Sequence, residues 1–138
     1  MSTLPNLSST PRKSREPLRV LIVEDDAGSR WALGALFKRM GYRCLTAASG
    51  EEGLAMVEAF RPQIILTDMM MPGMDGLEFT RRVKNSERTR SIPVLMLTAD
   101  ATGLGESAAR SAGCDGLLPK PIVMAELLGR IQMSLRDR

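Results

Sequence analysis

The chain has 138 residues, 43% of them hydrophobic, which suits one domain with a buried core and leaves no room for a second of useful size. Of the formal charge of +3, Arg12, Lys13 and Arg15 against Glu16 carry +2 and everything after Pro17 carries +1, so direct binding of nucleic acid through a broad basic surface is not expected. There is no His, only Cys44 and Cys114, no apolar stretch near the ~20 residues of a membrane span and no signal-peptide core; these exclude a disulfide framework and a structural zinc site, and a reduced, cytoplasmic protein with no membrane partner is expected.

Residues 1–17 hold Ser2, Ser8, Ser9, Ser14 and three prolines with no apolar period, and are expected to form a disordered tail ahead of a folded domain over 18–138. From Leu18 onward short apolar runs alternate with helical patterns. The expected elements are strand 19–23, helix 27–40, strand 43–47, helix 50–60, strand 63–67, helix 75–85, strand 93–97, helix 103–112, strand 115–118 and helix 122–136. Punctuation agrees: Gly41 stops the first helix, Ser49 caps the second with Glu52 three residues on, and Pro62 follows its end. Gly103 and Gly105 weaken the fourth, each by about 1 kcal/mol relative to Ala in a helix interior. Five βα units with right-handed crossovers make a three-layer α/β/α sandwich around one parallel sheet.

Ligands of such sheets bind outside the carboxyl ends of the strands. Polar groups stand at four of those ends: Glu24, Asp25 and Asp26 after the first strand, Asp68 after Ile64-Ile65-Leu66-Thr67, Thr98 after Val94-Leu95-Met96-Leu97, and Lys120 after Gly116-Leu117-Leu118.

The motifs Val-Leu-Ile-Val-Glu-Asp-Asp at 20–26, Asp-Met-Met-Met-Pro-Gly-Met-Asp-Gly at 68–76, Leu-Thr-Ala at 97–99 and Leu-Pro-Lys-Pro at 118–121 resemble, in register, those of the CheY-like response-regulator receiver domains of two-component signalling. The resemblance covers roughly residues 18–136. It implies the flavodoxin-like strand order 2-1-3-4-5 with five helices. It also implies Asp68 as phosphoacceptor, Lys120 and Thr98 as its partners on the phosphoryl group, and a cis peptide before Pro121. Asp25 would be the direct metal ligand with Asp68, with Glu24 acting through water and the Met70 backbone carbonyl completing the set. Asp26 could stand in for Glu24 if the register slips. The chemistry agrees without the name, because converging carboxylates need a cation, and hard oxygen ligands with open water positions suit Mg2+.

The expected function is therefore a phosphorelay switch rather than a dedicated enzyme, accepting phosphate from a histidine kinase or phosphotransfer protein. The downstream protein target would meet the 103–136 face, and a phosphorylation-dependent homodimer is left open. Since the chain ends at Arg138, the output is expected to be another molecule's. The family's switch aromatic is replaced by Leu117, which motivates the alternative of a phosphorylation-independent interaction module. An aspartate-nucleophile phosphatase is disfavoured by Met70, and a flavodoxin by the three acids after the first strand. Blander roles are expected elsewhere. Asp26 reads as a helix cap, Trp31 as packing with Leu36, Phe37 and Met40, Met69 to Met71 as core and loop filler, and Arg81, Arg82, Lys84, Arg88 and Arg90 as a solvated face and loop.

Overall fold

Consecutive side chains of a strand leave on opposite faces, so a strand that is apolar throughout must be covered on both. That is the arrangement in the computed structural model, which describes residues 16–100 and 103–136; all of the expected tail before Glu16 lies outside these residues. The strands are β1 (Arg19–Val23), β2 (Arg43–Ala47), β3 (Ile64–Asp68), β4 (Val94–Thr98) and β5 (Gly116–Pro119). They alternate with helices α1 (Ala27–Arg39), α2 (Gly50–Phe60), α3 (Gly76–Lys84), α4 (Gly103–Ala112) and α5 (Met124–Arg136). All strand pairs are parallel, in the order β2-β1-β3-β4-β5.

The alternation of β1 shows how the layers form. Val20 and Ile22 join Leu33 and Phe37 of α1 and Leu127 and Ile131 of α5 on one face. Leu21 and Val23 join Val57 of α2 and Phe79 and Val83 of α3 on the other. All four β1 residues from Val20 to Val23 are buried, each contributing about 1.5–3 kcal/mol by leaving water. A smaller cluster of Met69, Met96 and Ala109 seats α4 beside α3.

Local chemistry fixes the helix starts. Asp26 accepts the Ser29 N–H at 2.8 Å, Ser49 the Glu52 N–H at 3.1 Å, and Asp75 the Glu78 N–H at 2.9 Å, each satisfying one otherwise orphaned donor. At the opposite end of the sheet, Lys84 closes α3. Its Nζ donates to the carbonyls of Arg90 (3.1 Å) and Ile92 (2.8 Å) and pairs with Asp115 Oδ2 (2.9 Å), which also takes the Val94 N–H.

Four expectations change. β3, β4 and β5 each run one residue later at both ends; at the carboxyl ends of β3 and β4 backbone pairing ignores side-chain polarity, as Met69 N–H donates to Leu97 O and Lys120 N–H to Thr98 O, so Asp68 and Thr98 remain in the ladder. The last helix begins at Met124 rather than 122, since Lys120-Pro121, a cis peptide, and the two residues after it form the entry turn. Trp31 is not a packing residue: it is 75% exposed, on the side of α1 away from Leu33 and Phe37. Gly105 is more than a weak point of α4, because a side chain there would run into the Asp100 carbonyl. The methionine run divides, with Met69 and Met71 buried and Met70 67% exposed. The basic cluster is largely paired, Arg81 and Arg82 with Glu78, Arg88 with Glu58 and Lys84 with Asp115.

Candidate functional site

The carboxyl ends of β1, β3, β4 and β5 open on one edge of the sheet, and the polar residues expected there meet at it. β1 delivers Glu24 and Asp25, and the Glu24 N–H, bonded to Ala47 O, extends the pairing with β2 by one residue. β3 delivers Asp68, which is buried yet carries a carboxylate. One side-chain oxygen from each of Glu24, Asp25 and Asp68 lies within 4.8 Å of the other two. Asp26, the alternative to Glu24, is spent on the α1 cap, and it is the buried Glu24 that faces Asp68.

Lys120 reaches this cluster from the end of β5. Its Nζ lies 3.2 Å from Asp68 Oδ2 and 3.5 Å from Glu24 Oε1. Burial alone would lower the Lys120 ammonium, but the bond to Asp68 and the charges of Asp68 and Glu24 outweigh it and hold the group above its ordinary value. Glu24 moves the other way for an acid: burial raises its carboxyl above the usual 4.5, the Asp68 charge adds to the rise, and the Asp26 N–H and Lys120 oppose it. A buried acid pushed toward protonation beside two more carboxylates is a site short of positive charge, and one ammonium does not fill the deficit.

Thr98 stands next to Asp68 across the sheet, since β3 pairs with β4 through Asp68 and Leu97. Its buried hydroxyl accepts the Asp100 N–H at 2.9 Å. Gly76, first residue of α3, lets the loop return close to the acceptor strand: its N–H donates to Met69 O at 2.8 Å, and a side chain would collide with the Asp68 carbonyl. Met70, two places after Asp68, projects outward between the two buried methionines. Leu117 is half-buried against the Met69, Met96 and Ala109 cluster. Beside Lys120 a groove of about 310 Å3, lined by Ser29, Leu33 and Leu36 of α1 and by Pro121 and Ile122, leads up to Glu24.

Residue chemistry pointed to these groups, but one participant escaped it. Arg30, in the first turn of α1, donates from a single Nη1 to the backbone carbonyls of Glu24 (2.9 Å) and Asp25 (3.2 Å). A side chain bonded to main chain leaves no pairing pattern between residue types, so nothing in the sequence announces it.

Three oxygen donors so close together fit a hard divalent cation that prefers carboxylates and retains several waters. Nitrogen- or sulfur-seeking metals have no ligand here: His is absent from the chain and Cys44 and Cys114 lie in other clusters.

Residues 20–132 match the family model described as the response regulator receiver domain. The transcriptional regulatory protein AfsQ1 of Streptomyces coelicolor is 38% identical over 117 residues, 85% of this chain and 51% of that protein. The phosphate regulon transcriptional regulatory protein PhoB of Pseudomonas aeruginosa is 35% identical with the same coverage. This chain thus spans about half the length of the curated relatives it matches. Among solved structures, the chemotaxis protein CheY4 of Vibrio cholerae superposes with a TM-score of 0.81 at 32% identity, covering 86% of this chain and 99% of that one. The signal receiver domain of a histidine kinase from Syntrophus aciditrophicus gives 0.79 at 28%, covering 86% and 90%.

Proposed function

This chain belongs to the response regulator receiver domain family, and from that premise we propose that it is a Mg2+-dependent phosphoacceptor in which Asp68 takes a phosphoryl group from a histidine kinase or phosphotransfer protein. The observation that carries the reading is the convergence of Glu24, Asp25 and Asp68 within 4.8 Å of one another, with the Lys120 ammonium 3.2 Å from Asp68. Asp25 and Asp68 would hold the cation directly, Glu24 through water, and the Met70 carbonyl would complete the protein ligands. The bound cation would supply the positive charge that lets an anionic donor approach a carboxylate.

The chain's own residues divide the remaining work. An Asp68 carboxylate oxygen attacks phosphorus, the bond from phosphorus to the donor's nitrogen or oxygen breaks, and the bonding pair leaves with the donor. Lys120 exchanges part of its contact with Asp68 for the arriving phosphoryl oxygens, which its long stem permits without backbone movement. The Thr98 hydroxyl, now accepting the Asp100 N–H, would turn toward the same oxygens. That exchange would disturb the residues just before α4 and so alter the 103–136 face that a protein target reads. The relatives are named regulators, and this protein is read with them as a signalling switch. On this reading the receiver is the segment 18–138.

Half-buried Leu117 favours one alternative, a receiver whose partner binding ignores phosphate, since no aromatic ring stands there to turn inward. Wild-type and Asp68→Asn protein incubated with Mg2+ and acetyl phosphate, with and without chelator, decide between them by intact mass. A single phosphoryl adduct on wild type alone, lost with chelator, supports the proposal. No adduct, when beryllofluoride also fails to bind, points to the alternative.

A further inference from the structure

α1 begins in an unusual way. It has no acidic residue in its first turn, where a carboxylate would favour the positive end of the helix, and carries Arg30 there instead. A cation at that end is unfavourable toward the helix dipole itself. The Arg30 guanidinium acts on the Asp26 carboxylate through its charge, but its hydrogen bonds go to the main chain. It reaches back past the helix start to bridge the Glu24 and Asp25 carbonyls from one nitrogen, at 2.9 and 3.2 Å.

We propose that Arg30 is a positioning residue of the acidic site: by gripping the two carbonyls from behind, it fixes the turn from which the Glu24 and Asp25 carboxylates face Asp68. The proposal rests on reading that site as a Mg2+-dependent phosphoacceptor. The turn is held from two more directions, by the Asp26 N–H donating to Glu24 Oε2 at 3.1 Å and by the Asp26 cap on Ser29. Neither of those fixes the Asp25 peptide. Arg30 alone among these contacts ties the main chain of both acidic residues to the helix. One guanidinium Nη carries two N–H bonds, one for each carbonyl, whereas a lysine ammonium sits on a shorter stem.

The two roles a cation could play here pull in opposite directions. As a charge alone, Arg30 competes with Mg2+, so removing it would tighten metal binding. As a positioning residue, its removal weakens binding. The full chain carrying Arg30→Ala or Arg30→Lys is titrated with Mg2+ by calorimetry, phosphorylated with acetyl phosphate at several Mg2+ concentrations, and unfolded in chelator. Both variants are expected to bind Mg2+ about 10-fold more weakly, the usual effect of removing a group that orients a metal ligand. Saturating Mg2+ should restore their phosphorylation rate, and the unfolding midpoint in chelator should stay near wild type. Tighter binding by Arg30→Ala with wild-type binding by Arg30→Lys would overturn the proposal in favour of charge alone. Unchanged affinity with a lowered midpoint would reduce Arg30 to a structural residue. If Arg30→Ala does not fold, Arg30→Lys carries the test by itself. A wild-type protein that binds no Mg2+ overturns the phosphoacceptor reading and this proposal together, whereas normal wild-type binding with indifferent variants overturns this one only.

Discussion

Replacing Asp68 with Asn should leave the metal-free protein at least as stable as wild type, although it removes an ion pair from a buried position. The Lys120 ammonium lies 3.2 Å from Asp68, an attraction of about 5 kcal/mol at an effective dielectric of about 20. Against it, Glu24 and Asp25 present oxygens within 4.8 Å, each a repulsion of about 3.5 kcal/mol on the same scale. Asp25 is exposed, so solvent screens its share, while Glu24 is buried and keeps most of its own. Lys120 retains Glu24 as partner at 3.5 Å after the substitution, and no ammonium is stranded. Attraction and repulsion nearly cancel, and relief of carboxylate burial tips the balance, so the variant should gain between zero and about 2 kcal/mol. Urea unfolding followed by circular dichroism in chelator measures this. Repeated with Mg2+ at 100 times its dissociation constant, wild type should gain about 2.7 kcal/mol and the variant little. A loss above about 1 kcal/mol in chelator would refute the reasoning and make the Asp68–Lys120 pair a structural bridge.

Glu24, whose carboxyl is raised above 4.5 chiefly by burial, holds its proton more tightly in the folded state. Metal-free wild type should therefore gain stability as pH falls from neutral through the folded value, with the gain complete near 4.5, and Glu24→Gln should flatten that segment of the pH–stability curve. Gly76→Ala should destabilise by about 3 kcal/mol or abolish expression, because its methyl group would meet the Asp68 carbonyl rather than a yielding side chain; wild-type stability would show that α3 can shift freely. The buried Cys44 thiol is pushed up to about 11 by desolvation, and Cys114 is raised for the same reason. Both should resist iodoacetamide at pH 8 in the folded protein and react at once in urea, and rapid labelling of the native protein would contradict their placement.

The order of elements was legible because short apolar runs and helices apolar at intervals are different patterns, and β1 and β2 begin and end where expected although Arg19, Arg43 and Thr46 interrupt their apolar runs. The later ends of β3 and β4 arose where the polar side chains of Asp68 and Thr98 sit on backbone that still pairs. Grouping at the sheet edge followed from topology: once the strands are parallel, residues after each run share an end. Asp26 was left as a stand-in for Glu24 because adjacent acids differ in facing by a one-residue slip of register; in the structure Asp26 caps α1 and Glu24 faces Asp68. Trp31 was misjudged, and the close approach at Gly105 unforeseen, for a common reason: helix phase and backbone approach depend on neighbours that only the assembled layers supply.

The contacts of Lys84 bear on how a charge change at the acidic edge can travel. α3 starts at Gly76, against the Asp68 carbonyl, and finishes in an ammonium tied to two carbonyls and to Asp115, which in turn holds the start of β4. One end of this short helix is thus anchored by side-chain contacts and the other rests on the acceptor strand. A displacement begun at Asp68 would bear first on the Gly76 end of α3, the end away from the contacts that Lys84 makes at the far side of the sheet.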